Sequence, residues 1–258
     1  MRAKLLLFDL DGTLLRSDKT VSRRTLEAVS RCRERGLIVV VATSRSEQNA
    51  ASYLADVRPD ALIASGGALV RLRGETILQA EFSPEETLAM VAAAREICGT
   101  AVELTADTAE GHFWNWKVDP AKADAAWGDS IFDDFAHFSR ATMKLCVLSP
   151  DPAAAEVLAR RFPESDCQRF SDGDWYKFTP KSATKEHAIL ALCGKCGAAP
   201  EEAVAFGDDW ADIGMLRLCG TGVAMGNAIP EVKAAADAVI GTNDEDGIAV
   251  FLEEEFLR

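Results

Sequence analysis

The chain has 258 residues, 48% hydrophobic and 27% charged, enough to bury one large core or a core carrying an inserted second domain. Its 28 Lys and Arg against 41 Asp and Glu give a formal charge of −13, which argues against non-specific nucleic-acid binding because that needs a basic surface to displace counterions. The acidity does not exclude an anionic substrate, since a bound metal ion reverses the local field.

Arg2 and Lys4 precede the apolar run Leu5-Leu6-Leu7-Phe8, as in a signal peptide, but Asp9 and Asp11 interrupt it. Apolar stretches such as residues 37–42 are too short to cross a bilayer, so the expectation is a cytoplasmic chain with no membrane partner. The sequence sets no oligomeric state. Seven cysteines, an odd number scattered from Cys32 to Cys219, do not form a disulfide framework. Cys193 and Cys196 make a C-x-x-C pair, but no second pair accompanies them, and Gly194 and Gly197 point to a helix end instead.

In chain order, residues 4–8 read as a buried strand ending in a polar loop. Ser22 is placed to cap a helix through Arg35 that Gly36 terminates. A strand over 37–42, a helix over 46–55, a strand over 61–64 and a turn at Ser65-Gly66-Gly67 follow. This alternation predicts parallel strands with right-handed crossovers. Ser83 and Pro84 open a helix to about Cys98. Strands are then expected at 101–105, 112–117 and 143–148, a helix at 152–162, and strands at 166–171 and 174–179. The last third alternates again: helix 182–192, strand 203–206, helix 213–218, strand 222–224, helix 230–236, strand 238–240 and a closing helix. The expected fold is α/β, a doubly wound parallel-sheet core from residues 1–81 and 181–258, interrupted by an α+β insert over 82–180.

Asp9-Leu10-Asp11-Gly12-Thr13 lies just past the first strand, where reactive groups gather in an open parallel sheet. Asp9 is suited to be a nucleophile that forms an aspartyl-phosphate. Asp11 can protonate a leaving alkoxide and later activate water, and Gly12 lets the chain turn with N–H groups facing an oxyanion. Alone, the same motif fits a solvated turn or a calcium loop. A second acidic cluster, Asp208 to Asp212, follows strand 203–206. Asp9, the Asp11 carbonyl and Asp208 would offer hard oxygen ligands to Mg2+, with Asp212 orienting a metal-bound water or Lys185 from behind. Thr43, Ser44 and Arg45 make either a phosphate cradle or an ordinary helix cap. Lys185 or Lys181 could neutralise phosphoryl oxygens.

Together these segments are similar to the haloacid dehalogenase (HAD) superfamily, in its Cof-like branch of metabolite phosphatases. Phe8 to Leu15 resembles the first motif and Ala42 to Arg45 the second. Thr179 to Lys185 resembles the third, favouring Lys185 over Lys181, and Phe206 to Leu216 resembles the fourth. Ala224 to Ala228, which contains Asn227, and Asn243 to Gly247 resemble branch features near the C-terminus. The resemblance implies an Rossmann-like core, a cap over the site formed by the insert, Mg2+ as cofactor, and phosphate or substrate contacts from Gly12, Thr43, Ser44, Arg45, Lys185 and Asn227. It implies hydrolysis of a small phosphorylated metabolite, a sugar phosphate or a cofactor phosphate. The alternatives are a phosphosugar mutase and a non-catalytic phosphometabolite-binding protein. Three positions depart from the family pattern: Ser44 and Glu186 stand where Gly is usual, and Ala211 where Asn is usual. In the insert, His112, Trp114 and Trp116 share a face at strand period; they and Trp175 and Tyr176 either pack the cap or line a pocket.

Overall fold

A computed structural model describes residues 3–116, 130–170 and 173–258; Arg2, Lys117 and Ser171, which the sequence reading includes, lie outside them. Two sheets organise the chain. In the first, β1 (Leu5–Phe8), β2 (Ile38–Ala42) and β3 (Ala61–Ala64) run parallel. On the other side of β1 lie β12 (Ala203–Gly207), β13 (Thr221–Ala224) and β14 (Ala238–Val239), also parallel. The chain thus winds outward from β1 in one direction, returns to β12 at its other flank, and winds the opposite way. The β1–β12 boundary is the topological switch point, the crevice where doubly wound sheets bind ligands.

Strands covered on both faces are near-continuous apolar runs, and β1 and β12 are buried throughout. The helices start where hydroxyl side chains satisfy free N–H groups. Ser22 caps α1 (Arg23–Glu34), Ser46 caps α2 (Glu47–Val57), and Thr184 caps α5 (Lys185–Cys196). This last helix corrects the expected span of 182–192: the cap is Thr184, so Lys185 is its first residue. The short helices α6 (Ile213–Leu218) and α7 (Pro230–Ala235) and the closing α8 (Gly247–Glu255) complete the core. An antiparallel hairpin, β4 (Leu69–Leu72) and β5 (Glu75–Gln79), extends the sheet beyond β3 and was not legible in the sequence. Its turn uses Arg73 and Gly74, both at positive φ, in place of the more recognisable Asn-Gly.

The second sheet has the order β10-β11-β9-β6-β7-β8. Its strands are β6 (Leu104–Asp107), β7 (His112–Trp114), β8 (Ile131–Phe132), β9 (Lys144–Leu148), β10 (Ser165–Arg169) and β11 (Trp175–Pro180). Helices α3 (Pro84–Cys98) and α4 (Pro152–Arg161) cover one face. Period-2 alternation divides the strand residues sharply. Leu104, Ala106, Phe113, Leu145, Val147, Tyr176 and Phe178 pack with the helices in a core of their own. Their sequence neighbours point the other way, toward the switch point of the first sheet. Tyr176 is therefore a packing residue, while Trp114 and Trp175 line a cavity between the sheets. Trp116 lies beyond the end of β7 and is exposed. Among the described residues, no helix is long and apolar enough to cross a membrane.

The turn after β3 presses closely on α5. Gly67 has φ +109°, and an added Cβ would overlap the backbone of Thr184, the cap residue next to Lys185. Gly67→Ala is expected to cost about 1–3 kcal/mol through left-handed strain, with more from the overlap. Urea denaturation would read this as a lowered midpoint at unchanged slope; an unaltered midpoint would contradict the packing described.

Candidate active site

Strand register brings the two acidic segments together. Phe8 pairs with Phe206 across β1 and β12, and their rings stack with centroids 4.9 Å apart. The Asp9 N–H continues the ladder by donating to the Phe206 carbonyl at 3.0 Å. Asp9 and Asp208 therefore emerge side by side at adjacent strand ends. Gly12 has φ +75°, and an added Cβ would overlap the Asp208 carboxylate, so glycine serves here by close approach as well as by turning. Thr13 donates its hydroxyl to Asp208 Oδ1 at 2.8 Å.

Lys185 ties the cluster from below. Its ammonium donates to Asp9 Oδ1 and Asp212 Oδ1, each at 2.7 Å, and all three side chains are almost wholly buried. The other Asp212 oxygen accepts the N–H groups of Asp208 at 3.0 Å and Asp209 at 3.1 Å. Asp212 thus fixes both the lysine and the loop bearing Asp208. Burial and the charges of Asp212 and Asp208 hold the Asp9 carboxyl well above the usual range, although Lys185 opposes them. Burial, with Asp212 next, pushes Asp208 up to about 7. Burial works against the charge on Lys185, but Asp212 and Asp9 outweigh it and hold its pKa above the ordinary value.

Oxygens of Asp9, Asp208 and Asp212 lie within 4.8 Å of one another. Three crowded carboxylates facing a single lysine suit a hard divalent cation. The Asp11 carboxylate is not in this cluster, which leaves its main-chain carbonyl as the group to offer.

The Asp11 side chain instead meets Arg45, with Oδ2 accepting from Nε at 2.6 Å and Oδ1 from Nη2 at 2.8 Å, and meets Lys19 Nζ at 2.9 Å. Burial raises its pKa, but the hydrogen bonds and charges of Arg45 and Lys19 prevail, so the net shift is downward. In this arrangement Asp11 is held ionised. Arg45 also lies over the Tyr53 ring, 5.0 Å from its centroid. Thr43 is buried at the end of β2, where its hydroxyl accepts the Arg45 N–H at 3.1 Å. The Ser44 carbonyl accepts from Lys144 Nζ at 2.7 Å. The Asn227 amide donates to the Gly12 carbonyl at 2.7 Å and accepts the Asn243 N–H at 3.1 Å. Both ends are used in fixing the loop behind Gly12. Glu186 lies against Gly214, whereas Ala211 lines the cavity.

The second sheet supplies groups that motif reading missed. Asp107, fully buried, accepts from the Ser65 hydroxyl at 2.8 Å, pairs with Lys144 at 2.8 Å and meets His112 Nδ1 at 2.7 Å. Since Ser65 and Ser44 follow β3 and β2, this network joins the cap to the core loops around the site. The clue in the sequence was polar residues alternating with apolar ones at strand period, as in Lys144-Leu145-Cys146-Val147. The cavity beneath measures about 490 Å³. Cys193 is buried, its thiol pushed up to about 11 by burial, and neither it nor Cys196 is in a disulfide.

The sequence profile of the haloacid dehalogenase-like hydrolases matches residues 6–252, and the chain belongs to that family. It is an enzyme, a hydrolase with phosphatases among its relatives. A candidate phosphatase of Haemophilus influenzae is 32% identical over 263 residues, covering 99% of each chain. The pyridoxal phosphate phosphatase YbhA of Escherichia coli is 28% identical, covering 98% of each. The solved structure of BT4131, a HAD subclass IIB sugar phosphatase, superposes with a TM-score of 0.85 at 27% identity, covering 98% of each chain.

The crowded carboxylates set a pH dependence. Asp208 titrates at its ordinary 3.8 when unfolded and at about 7 in the metal-free fold, so the folded state binds more protons between those values. Chelator-treated protein should therefore lose stability as pH rises from about 4 to 7. Urea titrations at several pH values would show this decline, and Asp208→Asn should flatten it. Stability that is level or rises across the window would contradict the assignment.

Proposed function

We propose that the chain hydrolyses a small phosphorylated metabolite, a sugar phosphate or cofactor phosphate, through an aspartyl-phosphate on Asp9. The observation that carries this reading is the placing of Asp9 and Asp208 at the switch point, with Lys185 bridging Asp9 to Asp212. The named activities of the relatives, on pyridoxal phosphate and on sugar phosphates, support the substrate class. Asp9, Asp208 and the Asp11 carbonyl would hold Mg2+, with Asp212 steadying them. When bound, the ion supplies positive charge to the phosphoryl oxygens and to the acids around it.

Asp9 attacks phosphorus as the ester bond breaks, and Asp11 delivers a proton to the departing oxygen. Water then attacks the phosphorus of the aspartyl-phosphate and gives its proton to Asp11, which releases phosphate and restores Asp9. The ion pair with Arg45 keeps Asp11 ionised, so the acid step requires that pair to open. An incoming phosphate ester can open it by drawing Arg45 toward its own charge. Thr43 and the N–H groups around Gly12 and Ser44 face the phosphoryl group, while Lys185 offsets the charge that develops on it.

A panel of phosphorylated metabolites, assayed for phosphate release with Mg2+ and again with chelator, tests the reading. Release that depends on Mg2+ and falls on the order of 10⁴-fold in Asp9→Asn is the expected result. Full turnover by Asp9→Asn would contradict it. Isomerised substrate without released phosphate would mark a mutase instead.

A further inference from the structure

The cavity is rich in cations, and almost all of them are paired. Lys185 is bound to Asp9 and Asp212, Lys144 to Asp107, Arg45 and Lys19 to Asp11, and Arg169 to Asp174. Lys177 is different. It lies on β11, is only 6% exposed and lines the cavity, yet among the described residues it has no carboxylate or hydrogen-bond partner. An ammonium on so buried a side chain is costly unless an anion or another acceptor in the cavity meets it. Burial first, then the charges of Lys185 and Lys144, push its pKa down to about 8.

Its position indicates what meets it. Strand pairing sets Gln168, Lys177, Cys146, Thr105 and Trp114 in one row across the cap sheet. Residues directly opposite in such a row share a face, and all five line the cavity. Trp175, two residues before Lys177, stands on the same face, its ring edge-on to Trp114 with centroids 6.3 Å apart. Trp114 Nε1 is also buried without a partner. The cap roof thus presents an aromatic wall and two unmet donors. The amine of Lys177 reaches down to the turn after β3, 3.2 Å from where a Cβ on Gly66 would stand. Asp9 and Thr43 approach the phosphoryl group from core strand ends and Lys185 from the start of α5, so the roof is left to meet the leaving group.

We infer that Lys177 anchors a second anion subsite, and that the substrate is a phosphate ester whose leaving group carries its own carboxylate or phosphoryl group beside an apolar, ring-sized body. This inference rests on the phosphatase reading above. It narrows that reading to doubly anionic esters in preference to those of neutral polyols.

Matched aryl phosphates test it: 3-carboxyphenyl phosphate, its methyl ester, and 1,3-phenylene bisphosphate. The acid, the bisphosphate or both should exceed the ester in kcat/KM by about tenfold or more, as expected for a charge-assisted contact. Which of them does so separates a carboxylate from a phosphoryl subsite. Lys177→Met, similar in length, should bring the ratio close to one, and Lys177→Arg should keep most of it. Equal kcat/KM for all three on the unaltered enzyme would overturn the inference. So would Lys177→Met lowering every substrate alike, because the lysine would then serve the transferring phosphoryl group. Absence of phosphate release from every ester, and from the metabolite panel, would instead overturn the phosphatase reading beneath it.

Discussion

The buried contact of Lys185 with Asp9 and Asp212 is the constraint on which the rest of the site depends. Three ionisable groups sit almost wholly buried, and removal of Lys185 would leave two crowded acids uncompensated. The fold holds them by short-range devices. Thr184 caps α5 so that Lys185 is its first residue, and Gly67 lets the neighbouring turn approach that cap. The β1–β12 register delivers Asp9 beside Asp208, and Asp212 closes the loop by binding the N–H groups of Asp208 and Asp209. One lysine against three acids leaves excess negative charge, so the same geometry that strains the metal-free site favours a divalent cation there.

The second sheet has two faces that do different work. The apolar face makes a core with α3 and α4 independent of the first sheet. The other face carries Asp107, Lys144 and His112, a network that reaches Ser65 just after β3 and Ser44 just after β2. Those loops also carry the Thr43 hydroxyl and Arg45. The second sheet and the loops after β2 and β3 are therefore linked through buried hydrogen bonds, while Trp114, Trp175 and Lys177 remain turned toward the cavity.

Much of this was legible from residue order. Apolar runs ending in Asp9 and Gly207-Asp208 marked strand ends with reactive groups, and hydroxyl residues before helices marked their starts. The α5 start was placed too early: Thr184 is the residue whose side chain accepts the His187 N–H, so the helix begins at Lys185. The Arg73-Gly74 hairpin was missed because its turn residues are atypical. The hydrogen bonds of Asn227 to the Gly12 and Asn243 backbones were not legible, because a motif fixes a residue's neighbourhood but not the direction in which its amide points. The pairing of Asp11 with Arg45, the Asp107 network and the unpaired state of Lys177 depend on contacts across long sequence separations, which no local pattern encodes.

The central claim is that Asp9 carries the phosphoryl group. Its most direct test is to quench the enzyme in acid during turnover with Mg2+ and a substrate it accepts, then map the phosphorylated peptide by mass spectrometry. The account predicts one added phosphoryl group on the peptide bearing Asp9, lost on treatment with hydroxylamine. A phosphoryl group on another residue would contradict it.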